Sequence, residues 1–305
     1  MIYDAVGSLN IDHSRLEAIQ AAGGRVEAFL PLNPLRRRWS VHLRNHRKLI
    51  VVDGTRGFTG GMNVGDEYSG RARRKGATHY QDTHIDIRGP AVADLEMTFI
   101  EDWAFSTGEV LDVHPPPQRE MNGTSIVSLV PSGPDQEFNP NEMVYFAGIA
   151  SARQRVLLTC PYFVPHGSIL QALVSAALRG VDVRVMVPEK CDVMIVGPAA
   201  RASFPFLLRG GVRIFEYRSS MLHAKTMVVD GLWAVVGSAN VDFRSFRLNF
   251  ELGTLVYDPQ LARSLENCFV ADQASSQEVS LEALSRKSYA ERLWEQTARL
   301  LSPVL

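Results

Sequence analysis

The chain carries the same pattern twice. HRKLIVVDGTRGFTGGMN begins at His46 and returns as HAKTMVVDGLWAVVGSAN at His223, an offset of 177 residues. His46 and His223, Lys48 and Lys225, Asp53 and Asp230, Gly60 and Gly237, and Asn63 and Asn240 fall in register. Upstream, AAGGRVEAF ending at Phe29 resembles LRGGVRIF ending at Phe215, and downstream Asp82 and Pro90 match Glu251 and Pro259 at an offset of 169. A chain that duplicates itself over so much of its length folds as two similar units, which removes most other architectures from consideration.

Each unit reads as alternating strands and helices. Leu49 to Val52 and Met227 to Val229 are short β-branched runs that reach an Asp-Gly pair and re-enter a second strand, the signature of a tight hairpin. Apolar residues at spacings of three and four predict helices over Ser14 to Ala22, Ala91 to Phe105, Glu142 to Arg153, Ser168 to Arg179, Pro259 to Ala271 and Leu281 to Leu301. This order predicts an α/β fold of two α/β/α sandwiches related by a pseudo-twofold axis. The Pro-rich segment at His114 divides the chain into a first repeat at 1–114, a linker at 115–124 and a second repeat at 125–305. A soft stretch at Ser275 to Ser280 sets off the last helix. The second repeat has a strand at Val156 to Thr159 and a helix at Ser168 to Arg179 before its strand at Val183 to Val187, whereas the first opens at Met1 to Asp4 on the equivalent of that last strand. Roughly forty residues of the repeat lack a counterpart, so the first unit is expected to be shortened at its N-terminus.

Composition sets outer bounds. With 32 Lys and Arg against 33 Asp and Glu there is no global positive field, which counts mildly against a nucleic-acid partner. No apolar run approaches the roughly 18 residues of a membrane span, and Met1-Ile-Tyr-Asp does not open a secretory signal. Cys160, Cys191 and Cys268 are odd in number and far apart, which fits reduced cysteines better than disulfides or a metal site.

The repeated residues point to phosphate chemistry. With 5 lysines and 16 aspartates in the chain, a given histidine has Lys two places on and Asp seven places on with a chance on the order of 10⁻³. On a strand, residues i and i+2 share a face, so each histidine presents its imidazole beside an ammonium. The imidazole can attack phosphorus or carry a proton near neutral pH, and the ammonium neutralises a non-bridging oxygen. Gly60, Gly61, Gly237 and Ser238 allow close backbone approach, and Asn63 and Asn240 offer amide donors. Asp53 and Asp230 complete the catalytic motif in sequence. Placed in the turn and on the wrong parity, they read as structural.

These motifs resemble the phospholipase D superfamily, with its duplicated HxKxxxxD followed by GG or GS and Asn. GGMNVGDEY at Gly60, DTHIDIRGPAV at Asp82, PYFVPHGSILQALVSAALRGVDVR at Pro161, MLHAK at Met221 and GSANVDFRSFRLNFE at Gly237 look more narrowly like bacterial cardiolipin synthases, over nearly the whole chain. The transmembrane helices that often begin those synthases are absent from this sequence. The resemblance implies a bilobal enzyme with one active site between the repeats, using no metal or other cofactor. His46 would form a phosphohistidine and His223 would act as general acid and then base, or the reverse. Lys48, Lys225, Asn63 and Asn240 would hold the phosphoryl oxygens, and Asp82 and Glu251 would each orient a histidine. The implied partner is anionic phospholipid, phosphatidylglycerol above all, met peripherally at a bacterial cell membrane. A phospholipase D, a nucleic-acid phosphodiesterase and an inactive lipid-binding fragment are the alternatives.

Weaker features surround the motifs. Arg36, Arg37, Arg38, Arg44 and Arg47, and Arg71, Arg73, Arg74 and Lys75, form two basic clusters that suit either an anionic membrane or plain solvation. Phe243 and Phe246 suit acyl chains or a core. His79 and His84 read as structural, and the final helix with Leu293 and Trp294 as a packing helix.

Overall fold

Both Asp-Gly pairs turn the chain as the hairpin pattern predicts. Asp53 and Gly54 adopt φ of 51° and 59°, and Asp230 and Gly231 54° and 65°, the left-handed pair of a type I′ turn whose twist matches the flanking strands. In the computed structural model, which describes residues 1–9, 11–31, 42–69, 79–112 and 123–301, these hairpins are the centres of the two repeats.

The first repeat runs β1 (Ile2–Asp4), α1 (His13–Ala21), β2 (Glu27–Phe29), β3 (Arg44–Asn45), β4 (Leu49–Val52), β5 (Arg56–Gly60), β6 (Tyr80–Gln81), β7 (His84–Arg88) and α2 (Val92–Thr107). The second runs β8 (Ile126–Ser132), α3 (Pro140–Ser151), β9 (Arg155–Thr159), α4 (Gly167–Leu178), β10 (Asp182–Pro188), α5 (Val196–Arg201), α6 (Phe204–Arg209), β11 (Arg213–Tyr217), β12 (Met221–Leu222), β13 (Thr226–Val229), β14 (Trp233–Gly237), α7 (Phe243–Arg247), β15 (Asn249–Tyr257), α8 (Pro259–Gln273), β16 (Ser276–Glu278), α9 (Leu281–Ser285) and α10 (Tyr289–Leu300).

The second repeat is the α/β/α sandwich in full. Its sheet runs β16-β11-β10-β9-β13-β14-β15 with β8 also on β15. One face packs on α3, α4, α5 and α6 through Ile149, Leu173, Ala199 and Leu207, and the other on α8 through Ala262 and Phe269. In the first repeat the corresponding strands lie in two separate sheets, β1-β2 and β4-β5-β7. The reason is β9. In the second repeat it pairs with β10 on one side and β13 on the other, and among the described residues the first repeat has no strand that pairs with both β1 and β4. Burial follows: β13 is buried at every position, while β4 alternates, with Ile50 and Val52 exposed. Helix α2 closes the β4-β5-β7 sheet by packing Val92 and Leu95 against Ile87 and, across the repeat boundary, Leu252.

Two expected elements differ. The helix expected over Leu281 to Leu301 is two helices, because Ser288 and Glu291 form a capping box that starts α10 afresh. The soft stretch at Ser275 to Ser280 contains β16, which adds an antiparallel edge strand to β11. Nearly all of the linker at 115–124 lies outside the described residues. No helix among the described residues is long and apolar enough to cross a membrane.

Candidate active site

Two short parallel pairings cross between the repeats and assemble the site. In one, β3 lies against β15, with Asn45 opposite Phe250; in the other, β12 lies against β6, with Leu222 opposite Gln81. The next residue on each strand is therefore a histidine facing a carboxylate: His46 meets Glu251, and His223 meets Asp82. Backbone hydrogen bonds lock both registers, His46 N–H donating to the Phe250 carbonyl at 2.9 Å and His223 N–H to the Gln81 carbonyl at 2.7 Å. Each imidazole thus takes its carboxylate from the other repeat.

The contacts are close. His46 Nδ1 lies 3.0 and 2.9 Å from the two Glu251 oxygens, and His223 Nδ1 lies 2.6 Å from Asp82 Oδ2. A carboxylate at Nδ1 holds the proton there and leaves Nε2 free to react. The differing second glycine of the motif, Gly61 against Ser238, follows from the differing carboxylates. A Cβ on Gly61 would come 2.1 Å from Asp82 Oδ1, so the shorter acid needs a glycine beside it. Ser238 instead donates its hydroxyl to Glu251 at 2.5 Å, and Asn249 Nδ2 adds a further bond at 3.0 Å.

Charge is concentrated here and kept from water. Burial opposes ionisation of Glu251, yet the neighbouring His46 and Lys48 and the bonds from His46 and Ser238 hold its carboxyl at about 2. Burial lowers the His46 imidazole below its ordinary value even with Glu251 opposing. Burial, reinforced by Lys225, takes His223 down to about 4. The same loss of water lowers Lys48 to about 7 and also lowers Lys225. Lys48 Nζ donates to the His46 carbonyl at 2.6 Å, and Lys225 Nζ bonds the His223 carbonyl and lies 2.8 Å from His223 Nδ1. Two imidazoles whose protonated forms are disfavoured and two destabilised ammoniums make a pocket that gains most when an anion enters it.

The histidines are not equivalent. The His46 side chain is 28% exposed and the His223 side chain 7%. His223 is walled by aromatic rings from the first repeat: Tyr80 at 5.5 Å and Tyr68 at 5.7 Å between centroids, the Tyr68 hydroxyl also lying 3.1 Å from Nδ1. The motif asparagines differ too. Asn240 is buried with its Oδ1 unpartnered, whereas Asn63 is exposed and donates to the Tyr68 hydroxyl at 3.3 Å.

Asp53 and Asp230 complete the motif in sequence and read as structural, and they sit at the far ends of β4 and β13 from the imidazoles. The Asp230 carboxylate accepts backbone N–H bonds from Arg153, Gln154 and Arg155, tying the hairpin to the start of β9. Arg44 and Arg47 do not belong to a membrane-facing cluster, because carboxylates neutralise them: Arg44 pairs with Asp4 and the buried Arg47 with Asp102, each at 2.7 Å. Arg47 also donates to the carbonyls of Glu251 and Ser132, bracing the strands behind the Glu251 carboxylate. Its parity carried that signal, since in HRK the middle residue faces away from the other two. Phe246 is buried against Tyr145, and Phe243 lies beside the His166 ring. His79 and His84 lie near Asp82, His79 accepting from Met221 N–H through its carbonyl. The remaining basic positions, 36–38 and 71–75, lie outside the described residues. Tyr68, Tyr80 and Asn249 were not anticipated, and only their places in the fold reveal them.

Comparison with known proteins agrees with this geometry. Residues 145–273 match the family described as cardiolipin synthase, PLD-like domain. A cardiolipin synthase of Geobacillus kaustophilus is 41% identical over 310 residues, covering 100% of this chain and 61% of that protein. Cardiolipin synthase 2 of Bacillus anthracis is also 41% identical, over 307 residues, with 100% of this chain and 59% of that protein covered. The chain therefore spans about three fifths of the length of these relatives. Among solved structures, the phosphatidylserine synthase of Haemophilus influenzae superimposes with a TM-score of 0.68 at 17% identity, over 96% of this chain and 77% of that one, a likeness of fold.

Proposed function

The chain belongs to the phospholipase D superfamily, and from that membership and the paired-histidine site we propose that it is a phosphatidyl transferase that joins two phosphatidylglycerols into cardiolipin and releases glycerol. The observation that carries the proposal is the reciprocal pairing of His46 with Glu251 and of His223 with Asp82, beside Lys48 and the buried Lys225. One imidazole alone could only hydrolyse slowly or bind. Two, each with Nδ1 held by a carboxylate, supply a nucleophile and a proton carrier for a two-step exchange.

In the first step His46 Nε2 attacks phosphorus, a P–N bond forms, and the P–O bond to the headgroup glycerol breaks as His223 gives that oxygen a proton. In the second, a headgroup hydroxyl of another phosphatidylglycerol passes its proton to His223 and attacks phosphorus, and the P–N bond breaks. The greater exposure of His46 supports its role as nucleophile. His223 holds a proton poorly in the empty site. The phosphodiester anion raises its pKa on binding, so the acid forms when substrate is present. Lys48, Lys225, Asn240 and Asn63 neutralise and orient the phosphoryl oxygens, and their charge supports chemistry without a metal.

Peripheral contact with anionic phospholipid is part of the proposal. Val64, next to Asn63, is 97% exposed, and Met194, on the loop after β10, is 89% exposed. Val64 follows Asn63, which bonds Tyr68, and Met194 lies two residues past Asp192, which bonds Tyr80, so both exposed apolar side chains suit shallow insertion into a bilayer.

The test supplies phosphatidylglycerol vesicles, phosphatidylcholine vesicles and single-stranded DNA in parallel. Cardiolipin with free glycerol is expected from the first, together with capture of an acid-labile, alkali-stable phosphohistidine and loss of turnover in His46→Ala and His223→Ala. Phosphatidic acid alone would make the enzyme a hydrolase. DNA cleavage with inert lipid would overturn the lipid reading.

A further inference from the structure

Asp192 is a carboxylate whose side-chain partners are two phenols and the Cys191 thiol, and among the described residues it forms no ion pair with a Lys or Arg. It lies on the loop between β10 and α5 and is exposed. Tyr162 from the second repeat donates its hydroxyl to Oδ1 at 2.7 Å, and Tyr80 from the first donates to Oδ2 at 3.2 Å. Val193 N–H adds a bond at 3.1 Å. An exposed carboxylate needs no protein partner, because water can fill its lone pairs. This one is held by donors from both repeats, with lone pairs left to solvent.

Its position gives it a use. The Tyr80 ring that reaches Asp192 at its hydroxyl end packs against the His223 ring, and Tyr68 stacks edge-on against Tyr80 at 5.3 Å between centroids. The carboxylate therefore stands one phenol away from the imidazole that handles the leaving and the incoming alcohol. The Tyr80 ring lies 5.5 Å from that imidazole between centroids and carries the hydroxyl that reaches Asp192, so a polyol with its reacting oxygen at His223 that lies along this ring runs toward the carboxylate. Burial and the Asp192 charge push the Tyr80 hydroxyl up to about 12 and the Tyr162 hydroxyl upward as well, so both phenols remain donors throughout the working range.

Resting on the transferase reading above, we propose that Asp192, with Tyr80 and Tyr162, is the subsite that binds the free hydroxyls of the glycerol headgroup and so selects a polyol as the alcohol exchanged at phosphorus. The carboxylate accepts from the headgroup hydroxyls, and the phenol oxygens, whose protons point to Asp192, accept from them as well. The tyrosine faces give the carbon chain an apolar wall. An ammonium headgroup is disfavoured because Lys48 and Lys225 lie in the same pocket and an anionic substrate keeps both charged.

The experiment compares wild type, Asp192→Asn and Tyr162→Phe on vesicles of phosphatidylglycerol, on vesicles of phosphatidylethanolamine, and on bis(p-nitrophenyl) phosphate, which carries no headgroup. Thermal unfolding is recorded for each protein. For Asp192→Asn the ratio of phosphatidylglycerol turnover to bis(p-nitrophenyl) phosphate turnover should fall at least tenfold, chiefly through KM. The share of phosphatidic acid among the products should rise as water replaces the excluded alcohol. Tyr162→Phe should move the same ratio in the same direction by a smaller factor, and it provides the reading if Asp192→Asn does not fold. An equal fall on both substrates, or no fall on either, overturns the polyol assignment and leaves the transferase reading standing. A larger fall on phosphatidylethanolamine than on phosphatidylglycerol also overturns it, in favour of an ammonium site. Wild-type protein that turns over bis(p-nitrophenyl) phosphate but neither lipid overturns the transferase reading, and the assignment falls with it.

Discussion

Replacing Glu251 by Gln tests the reciprocal pairing at its most buried point. The carboxylate is fully buried and accepts from three donors, His46 Nδ1, Ser238 Oγ and Asn249 Nδ2. Glutamine keeps the shape but has one acceptor oxygen, so at least one of those donors must face an NH₂ group. The cheapest escape is for the amide to donate to His46 Nδ1. That moves the imidazole proton to Nε2, the atom that must attack phosphorus. Losing a charge-assisted hydrogen bond costs about 1.5–3 kcal/mol, a factor of about 10 to 150 in rate. The wrong tautomer takes the loss toward about 10⁴-fold, as when an orienting carboxylate becomes its amide in a nucleophile–histidine–acid triad. The expected result is a fall of about 10³–10⁴ in kcat with KM changed little, phosphohistidine capture falling in parallel, and cooperative thermal unfolding retained. Turnover of Glu251→Gln within threefold of wild type would refute the reasoning, because His46 would then not depend on its partner for its tautomer.

Three further outcomes are expected. With Lys48 lowered to about 7, its charge is present below that pH and lost above it, so kcat/KM should decline as pH rises through about 7. Lys48→Arg should move that alkaline limb upward, and a limb that stays in place in the arginine variant would assign it to another group. Gly61→Ala forces a Cβ to 2.1 Å from Asp82 Oδ1 and should cost at least about tenfold in kcat by displacing the carboxylate from His223. Gly167→Ala, which meets nothing within 4 Å, should be silent, and equal effects would deny the close approach its meaning. Exhaustive chelation should leave turnover on bis(p-nitrophenyl) phosphate intact, since Lys48 and Lys225 supply the positive charge; loss in chelator restored by a divalent ion would contradict this.

The repeat made the second half legible in detail, because β-branched runs ending in Asp-Gly and helices with regular apolar spacing report local structure locally. The first half was less so. That β1-β2 and β4-β5-β7 form separate sheets depends on whether a strand lies between them, a property of neighbours rather than of the runs themselves. At the site, parity alone puts His46 with Lys48 and His223 with Lys225, and the register of Asp82 with Glu251 marks them as equivalents. Which carboxylate meets which histidine was not readable, since it is decided by β3 on β15 and β12 on β6, contacts between segments 205 and 141 residues apart at the paired side chains. Arg44 and Arg47 misled for the same reason: a run of arginines looks solvated until Asp4 and Asp102 come against it. Tyr80 and Asp192 carry no motif at all, and they matter only because a strand of one repeat ends beside a loop of the other.

The exchange of carboxylates between the repeats has a bearing on how the two histidines came to differ. In a symmetric homodimer, a contact from residue i of one subunit to residue j of its mate occurs twice by necessity, and any substitution alters both copies. A site made of two such contacts would hold two identical imidazoles in identical surroundings. Here both contacts lie within one polypeptide, so each can change alone. Glutamate with serine serves the more open imidazole, and aspartate with glycine serves the one enclosed by tyrosines. On the transfer we propose, joining the halves in one chain lets a repeated site divide attack on phosphorus from carriage of the proton.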